Sequence, residues 1–160
     1  MFFLLRLYAS SFLHAEELSL FPSRSLDDWT LKGSAKWTYQ NGVLSGGQDG
    51  DPKRSGLLLS KAKFQDFDLS LEFKIDEHGK YNSGIYLRYH AEQKGDPLQV
   101  NIGRGAADEP VGLYLNDWLD KGDAKDEVRK PKVWNSLRIK ALGPHILVWL
   151  NGKKIVDYQD

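Results

Sequence analysis

The sequence predicts an all-β sandwich of the jelly-roll class, with a single domain over residues 16–160. Three observations lead there. Short stretches of apolar/polar alternation recur along the chain, the cleanest being Phe67-Asp68-Leu69-Ser70-Leu71-Glu72-Phe73-Lys74-Ile75, where every odd position is apolar and every even one polar. Turn signals separate these stretches at regular spacing, including Asn41-Gly42 and Asn151-Gly152. Beyond the first 15 residues, no segment of more than two turns follows a helical period. About ten short strands set out in this way indicate a sandwich or jelly roll.

The bulk properties exclude several function classes. At 160 residues the chain holds one domain with a real core. Lys+Arg and Asp+Glu are both 22, so there is no basic excess to suit nucleic acid or an anionic membrane. Cysteine is absent, which removes disulfides and cysteine-ligated zinc. Five Trp and seven Tyr suit stacking on the apolar faces of sugar rings, and equally suit an aromatic β-core.

Residues 1–15 read as a signal peptide. Phe2, Phe3, Leu4, Leu5, Leu7, Phe12 and Leu13 make an apolar run, broken by Arg6, and Ala15 is the candidate residue before cleavage. The run is shorter than the roughly 20 residues that span a bilayer, so no membrane span is expected. The expected location is secreted or periplasmic.

Taken in order, Leu18-Ser19-Leu20-Phe21 reads as an edge strand and Trp29 as a plug on the core. Residues 35–39 and 43–46 form a hairpin across Asn41-Gly42. The Gly- and Asp-rich loop 46–55 places Asp49 and Asp51 at alternate positions, as calcium ligands or as a solvated turn, without the full calcium-loop pattern. Residues 56–60 and 67–75 are strands. Asn82-Ser83-Gly84 then opens residues 85–90, with Ile85, Leu87 and Tyr89 on one face and Tyr86, Arg88 and His90 on the other. The second row joins an aromatic, a cation and an imidazole, a candidate ligand-site floor or an ordinary solvated face. If strands 67–75 and 85–90 are neighbours, Glu72 and Arg88 share that face.

Residues 98–102 alternate, with Gln99 and Asn101 opposite Val100 and Ile102, and side-chain amides offer sugar hydroxyls both a donor and an acceptor. Loop 103–110 lacks the sequence of a phosphate loop. Residues 111–115 are a strand that includes Tyr114. Residues 116–131 read as one long polar connection, a lid, binding loop or insertion, in which Trp118 is the residue least expected to be idle. Two strands follow, joined at Leu142-Gly143-Pro144, and Asn151-Gly152 returns the chain as a last strand.

Several of these pieces together resemble one known family. They are Leu20-Phe21 with Leu26-Asp27-Asp28-Trp29, residues 37–44, residues 64–73, Asn82-Ser83-Gly84-Ile85-Tyr86-Leu87-Arg88, Trp134-Asn135, and Val148-Trp149-Leu150-Asn151-Gly152. In this order they resemble the 3-keto-disaccharide hydrolase domain family, across essentially the whole chain after residue 15. The resemblance implies a concanavalin-like jelly roll and a carbohydrate substrate, a glycoside already oxidised to a ketone at C3. It implies removal of the acidified C2 proton, loss of the C1 aglycone by elimination, and addition of water. Such chemistry needs a base, a donor or cation for the enolate, and an acid for the leaving oxygen. By motif, Arg88 would stabilise the enolate or bind hydroxyls, and Glu72 or His90 would be the base. Tyr86 would stack or donate, Gln99 and Asn101 would orient hydroxyls, and Tyr114 and Trp118 complete the substrate-binding set.

The chain departs from the family pattern twice. Gln99 stands where members often carry Glu, and Gln cannot act as acid or base. The family usually continues past Asp157-Tyr158-Gln159-Asp160 through a final strand pair and a Gly-rich segment, so this sequence is expected to lack the closing strands of the jelly roll. A divalent metal stays open as a cofactor, and no nucleotide or redox-cofactor signature is present. Three readings follow: an enzyme on oxidised glycosides, a non-catalytic carbohydrate-binding module, and an interaction domain of a larger exported protein. An enzyme predicts a carboxylate or imidazole in a concave cleft. A binding module predicts a flatter aromatic platform without one.

Overall fold

The computed structural model describes residues 2–4, 18–47, 51, 53–75, 83–90, 92, 94–103 and 109–159. Among them there are only strands, turns and connecting segments, arranged as a β-sandwich. The strands are β1 (Phe2–Leu4), β2 (Trp29–Gly33), β3 (Lys36–Gln40), β4 (Val43–Gly47), β5 (Gly56–Ser60), β6 (Phe67–Lys74) and β7 (Ser83–Tyr86). They continue with β8 (Gln99–Gly103), β9 (Gly112–Leu115), β10 (Asp117–Asp120), β11 (Asn135–Leu142), β12 (His145–Leu150) and β13 (Lys153–Gln159). A seven-stranded sheet runs β13-β12-β11-β6-β1-β4-β3, a four-stranded sheet runs β10-β9-β8-β7, and β2 pairs with β5 alone. Every pairing is antiparallel.

Alternation decides which face each strand buries. On β6 the odd residues Phe67, Leu69, Leu71 and Phe73 are buried while Asp68, Ser70, Glu72 and Lys74 face outward. Leu137, Ile139 and Ala141 on β11, and Ile146, Val148 and Leu150 on β12, extend the same inner face. Val100, Ile102 and Leu113 answer them from the four-stranded sheet, each with no exposed surface. Both Asn-Gly turns form as expected, with φ of 53° and 78° at Asn41 and Gly42, and 49° and 81° at Asn151 and Gly152. Positive φ at both central positions is the type I′ signature, whose twist matches the flanking strands.

Four expectations change. Residues 18–21 are not a strand; Phe21 instead stacks between Trp29 at 4.9 Å and Tyr39 at 4.4 Å, so it plugs the sandwich edge beside Trp29. Residues 29–33, unassigned by the sequence pattern, pair with the strand 56–60. The connection 116–131 contains β10, paired with β9. Strand β7 stops at Tyr86, and it lies in a different sheet from β6. Residues 2–4 pair with both β4 and β6, while residues 5–17 lie outside the described residues, as does Asp49 of the Asp49/Asp51 reading.

The segment between β10 and β11 folds without regular structure because side chains substitute for a ladder. Buried Asp123 accepts the backbone N–H groups of Glu127 at 3.0 Å, Val128 at 3.0 and 3.2 Å, and Arg129 at 2.9 Å. Arg129, itself buried, closes a two-bond ion pair on Asp126 at 2.7 and 2.8 Å. Asn135 binds Lys130 through both N–H and C=O, and Asn151 Nδ2 reaches Val128 O and Asn135 Oδ1. Thus the Trp134-Asn135 and Asn151-Gly152 motifs join this segment to the β12–β13 turn. Replacing Asp123 by Ala strands three N–H groups at a buried carboxylate position. Asp123→Ala is expected to cost about 3 kcal/mol of stability, read as a lower urea midpoint at unchanged m-value. A loss below about 0.5 kcal/mol would mean that water replaces the carboxylate.

Candidate functional site

The outer face of the four-stranded sheet carries the site. Register sets Tyr86 beside Gln99, Gln99 beside Tyr114, and Tyr114 beside Trp118, one residue from each strand. Three strand spacings of about 4.8 Å make this row about 14 Å wide. The adjacent row is Gly84, Asn101 and Gly112, so Asn101 is flanked by residues without side chains. The floor is therefore low at Asn101 and walled on one side by aromatics. At Gly112 glycine is required, because a Cβ would lie 2.5 Å from Asp120 O, while at Gly84 a Cβ would lie 2.2 Å from Gln99 Nε2 and displace that side chain.

A cavity of about 270 Å³ opens over this floor, lined by Gln99, Asn101, Glu109, Tyr114 and Trp118. That is close to the lower end, about 300 Å³, of small-molecule pockets. Its polar groups are held in place. Gln99 Nε2 donates to Asn101 Oδ1 at 3.3 Å, and Asn101 Nδ2 donates to Pro110 O at 2.9 Å. Asn101 is 2% exposed, so its amide is a fixed part of the floor. The Tyr114 hydroxyl donates to Asn116 O at 3.2 Å, and Trp118 meets the Tyr114 ring edge-on at 5.4 Å. Tyr86 closes the row at the far end. Burial, then the neighbouring Asp96 carboxylate and Tyr89, raise its phenol above the ordinary value, so it stays protonated at neutral pH. A second crevice, between Phe73, Ile75 and residues 129–132, holds about 10 Å³, room for little more than a water.

Of the residues singled out from sequence, Gln99, Asn101, Tyr114 and Trp118 line this cavity, and Tyr86 shares their row. Glu72, Arg88 and His90 do not line it. Glu72 lies opposite Ser136 on the outward face of the seven-stranded sheet, with the whole core between it and the cavity. Arg88 has φ of 52°, which ends the alternation of β7. Its guanidinium donates to Gln65 O at 2.6 Å, Gly143 O at 2.7 Å and Asp66 Oδ1 at 3.2 Å, clamping the end of β7 to turns of the other sheet. His90 is exposed just beyond it. Glu72 and Arg88 therefore do not form the shared face considered for neighbouring strands.

Glu109 is the carboxylate that the sequence pattern did not single out. It follows β8 in the loop whose Pro110 carbonyl takes the Asn101 amide, and this anchors the loop beside the floor. The available signal was its position, one residue before the proline that leads into the strand paired with the amide strand. Among the described residues, no three metal-binding side chains cluster, and no helix is long and apolar enough to cross a membrane.

Comparison with known proteins agrees with this architecture. A 3-keto-disaccharide hydrolase of Bacteroides thetaiotaomicron is 34% identical over 80 residues, which make up 43% of this chain and 26% of that protein. The chain thus spans only about a quarter of that curated relative. A crystal structure of a candidate glycosyl hydrolase from Parabacteroides distasonis superposes with a TM-score of 0.55 at 25% identity, covering 81% of this chain and 72% of the other. A second such protein from the same organism gives a TM-score of 0.58 at 17% identity, over 89% of this chain and 72% of the other, a likeness of fold alone. Residues 16–160 match the 3-keto-alpha-glucoside-1,2-lyase-like domain, and the chain belongs to that family.

Proposed function

We propose that this domain binds a 3-keto-glycoside in the cavity over Asn101 and eliminates its C1 substituent, with Glu109 as the base. The observation that carries the reading is the lining itself, in which Glu109 joins fixed amides and aromatic walls around a cavity of about 270 Å³. The C3 ketone makes the C2 proton acidic. Glu109 removes that proton, and the C2–H electron pair becomes the C1=C2 bond as the C1–O bond breaks. The aglycone leaves as its alcohol after taking up a proton. Water then adds across C1=C2 to release the free 3-keto sugar. The transition state places charge on the C3 oxygen. N–H donors in the lining, Gln99 Nε2 and Trp118 Nε1, are suited to spread it, and a donor already anchored on Asn101 needs no reorganisation. Tyr114 and Trp118 offer flat faces for the apolar side of the ring.

The test is release of a chromogenic alcohol from its 3-keto-glucoside, with the ordinary glucoside as control and with and without added divalent metal. Glu109→Gln is expected to lower kcat at least about 100-fold, the usual contribution of a positioned acid–base group. Glu72→Gln, on the far face, should stay within about twofold. Unchanged release in Glu109→Gln would remove it as the base. A folded wild-type domain that binds the sugar but releases nothing under any metal condition would instead be a carbohydrate-binding module, with Gln99 in place of a carboxylate.

A second expectation concerns the floor. In Gly84→Ala the new methyl displaces the Gln99 amide, a flexible side chain, so the fold survives while the Gln99–Asn101 bond does not. KM should rise several-fold, about the cost of one hydrogen bond to a ligand, with little change in melting temperature. An unchanged KM would show that Gln99 does not contact the sugar.

A further inference from the structure

The row that forms the cavity does not end there. Beyond Gln99 it reaches Tyr86, which is 37% exposed on the outer face of β7. Strict alternation would send Tyr89 inward with Leu87. The left-handed backbone at Arg88, held by bonds to Gln65, Asp66 and Gly143, breaks that parity. Tyr89 instead lies beside Tyr86, with ring centroids 6.2 Å apart and planes 21° apart. Lys32 Nζ sits 5.8 Å from the centre of the Tyr89 ring. The result is a two-ring aromatic ledge in line with the cavity. Tyr86 stands two strand spacings from Tyr114, about 10 Å.

We propose that the Tyr86/Tyr89 ledge is a second subsite, which takes the leaving-group ring of a glycoside whose oxidised ring occupies the cavity. Continuity of the row decides the occupant. Two rings joined by one oxygen reach from the floor at Asn101 to the ledge, while a ligand of one ring does not. The ledge offers two ring faces, with the Asp96 carboxylate near Tyr86 and the Lys32 ammonium near Tyr89, so it suits an uncharged ring that presents an apolar C–H face or an aryl face. Arg88 acts as a positioning residue here, through the backbone that it holds.

This inference rests on the proposed function, and one titration separates the two. The Glu109→Gln variant is titrated calorimetrically with methyl 3-keto-glucoside, which fills the cavity alone, and with a 3-keto-disaccharide, which fills both positions. The disaccharide should bind about tenfold more tightly, as aromatic contact with a second ring predicts. Adding Tyr89→Ala should reduce that advantage to twofold or less and leave the methyl glycoside affinity unchanged, which also reports an intact fold. Tyr89→Phe should keep the advantage, because the ring face remains. Equal affinities for the two ligands, or an advantage that survives Tyr89→Ala, would overturn the subsite while leaving the cavity reading in place. Failure to bind the methyl glycoside would overturn both.

Discussion

The site depends on the two-residue period of β8 and β9. Val100, Ile102 and Leu113 are fully enclosed between the sheets, and each is worth about 2 kcal/mol of apolar burial. Their burial leaves Gln99, Asn101 and Tyr114 only the opposite face. A slip of one residue would put two amides and a phenol into the core, where an unpartnered polar group costs about 1–3 kcal/mol. The floor of the cavity is thus specified by side chains that never touch a ligand. Gly84 and Gly112 complete it by omission, since a Cβ at Gly84 would meet the Gln99 side chain and one at Gly112 the backbone of Asp120 and Lys121.

A second constraint holds the site's edge. The chain must leave β10, which carries Trp118, and reach β11 in the other sheet through residues 121–134. Gly122 makes the first turn at φ of 53°, where a Cβ would meet Val111 O at 2.4 Å. Asp123 then gathers the following N–H groups, and Asn135 and Asn151 fix the far end. Each of these side chains forms bonds that a helix or strand would have formed through its backbone. Gly103 shows the same close fit on the opposite side. At φ of 80° its Cβ would lie 2.6 Å from Glu109 O and 2.9 Å from Arg129 Nη1, so the loop bearing the carboxylate packs against the Arg129 end of this segment.

Local patterns in the sequence were enough for the hairpins at Asn41-Gly42 and Asn151-Gly152 and for the faces of β6 and β8. Alternation and turn chemistry are local, and these features need nothing else. The partnership of Glu72 with Arg88 needed to know which sheet each strand joins, and sheet order is set by long-range packing that alternation does not encode. Arg88 illustrates the limit within a single strand: a non-glycine residue at φ of 52° is uncommon, and its cause, acceptors 22–55 residues away, is invisible in the local pattern. Strand β10 was concealed because Asp117 and Leu119 are exposed, so its sequence resembles a loop. Glu109 lies in a loop without periodicity, and it is the anchoring of Pro110 on Asn101 that brings this loop to the cavity.

The make-up of the cavity also bears on the kind of bond cleavage proposed. Ordinary glycosidases place two carboxyl groups on either side of the scissile bond, roughly 5–9.5 Å apart, because an oxocarbenium-like transition state needs an acid on one side and a nucleophile or base on the other. Among the described residues lining this cavity there is one carboxylate, Glu109, and the neighbouring position on β8 is the amide Gln99. Glu72 does not supply a second, since it faces outward from the other sheet. A C3 ketone changes what is required. Charge develops on the ketone oxygen rather than at C1, so a single base with fixed N–H donors meets the demand, and C1–O cleavage follows from elimination across C1 and C2. Glu109 with the neutral donors of the lining is therefore what the proposed elimination from an already oxidised substrate calls for.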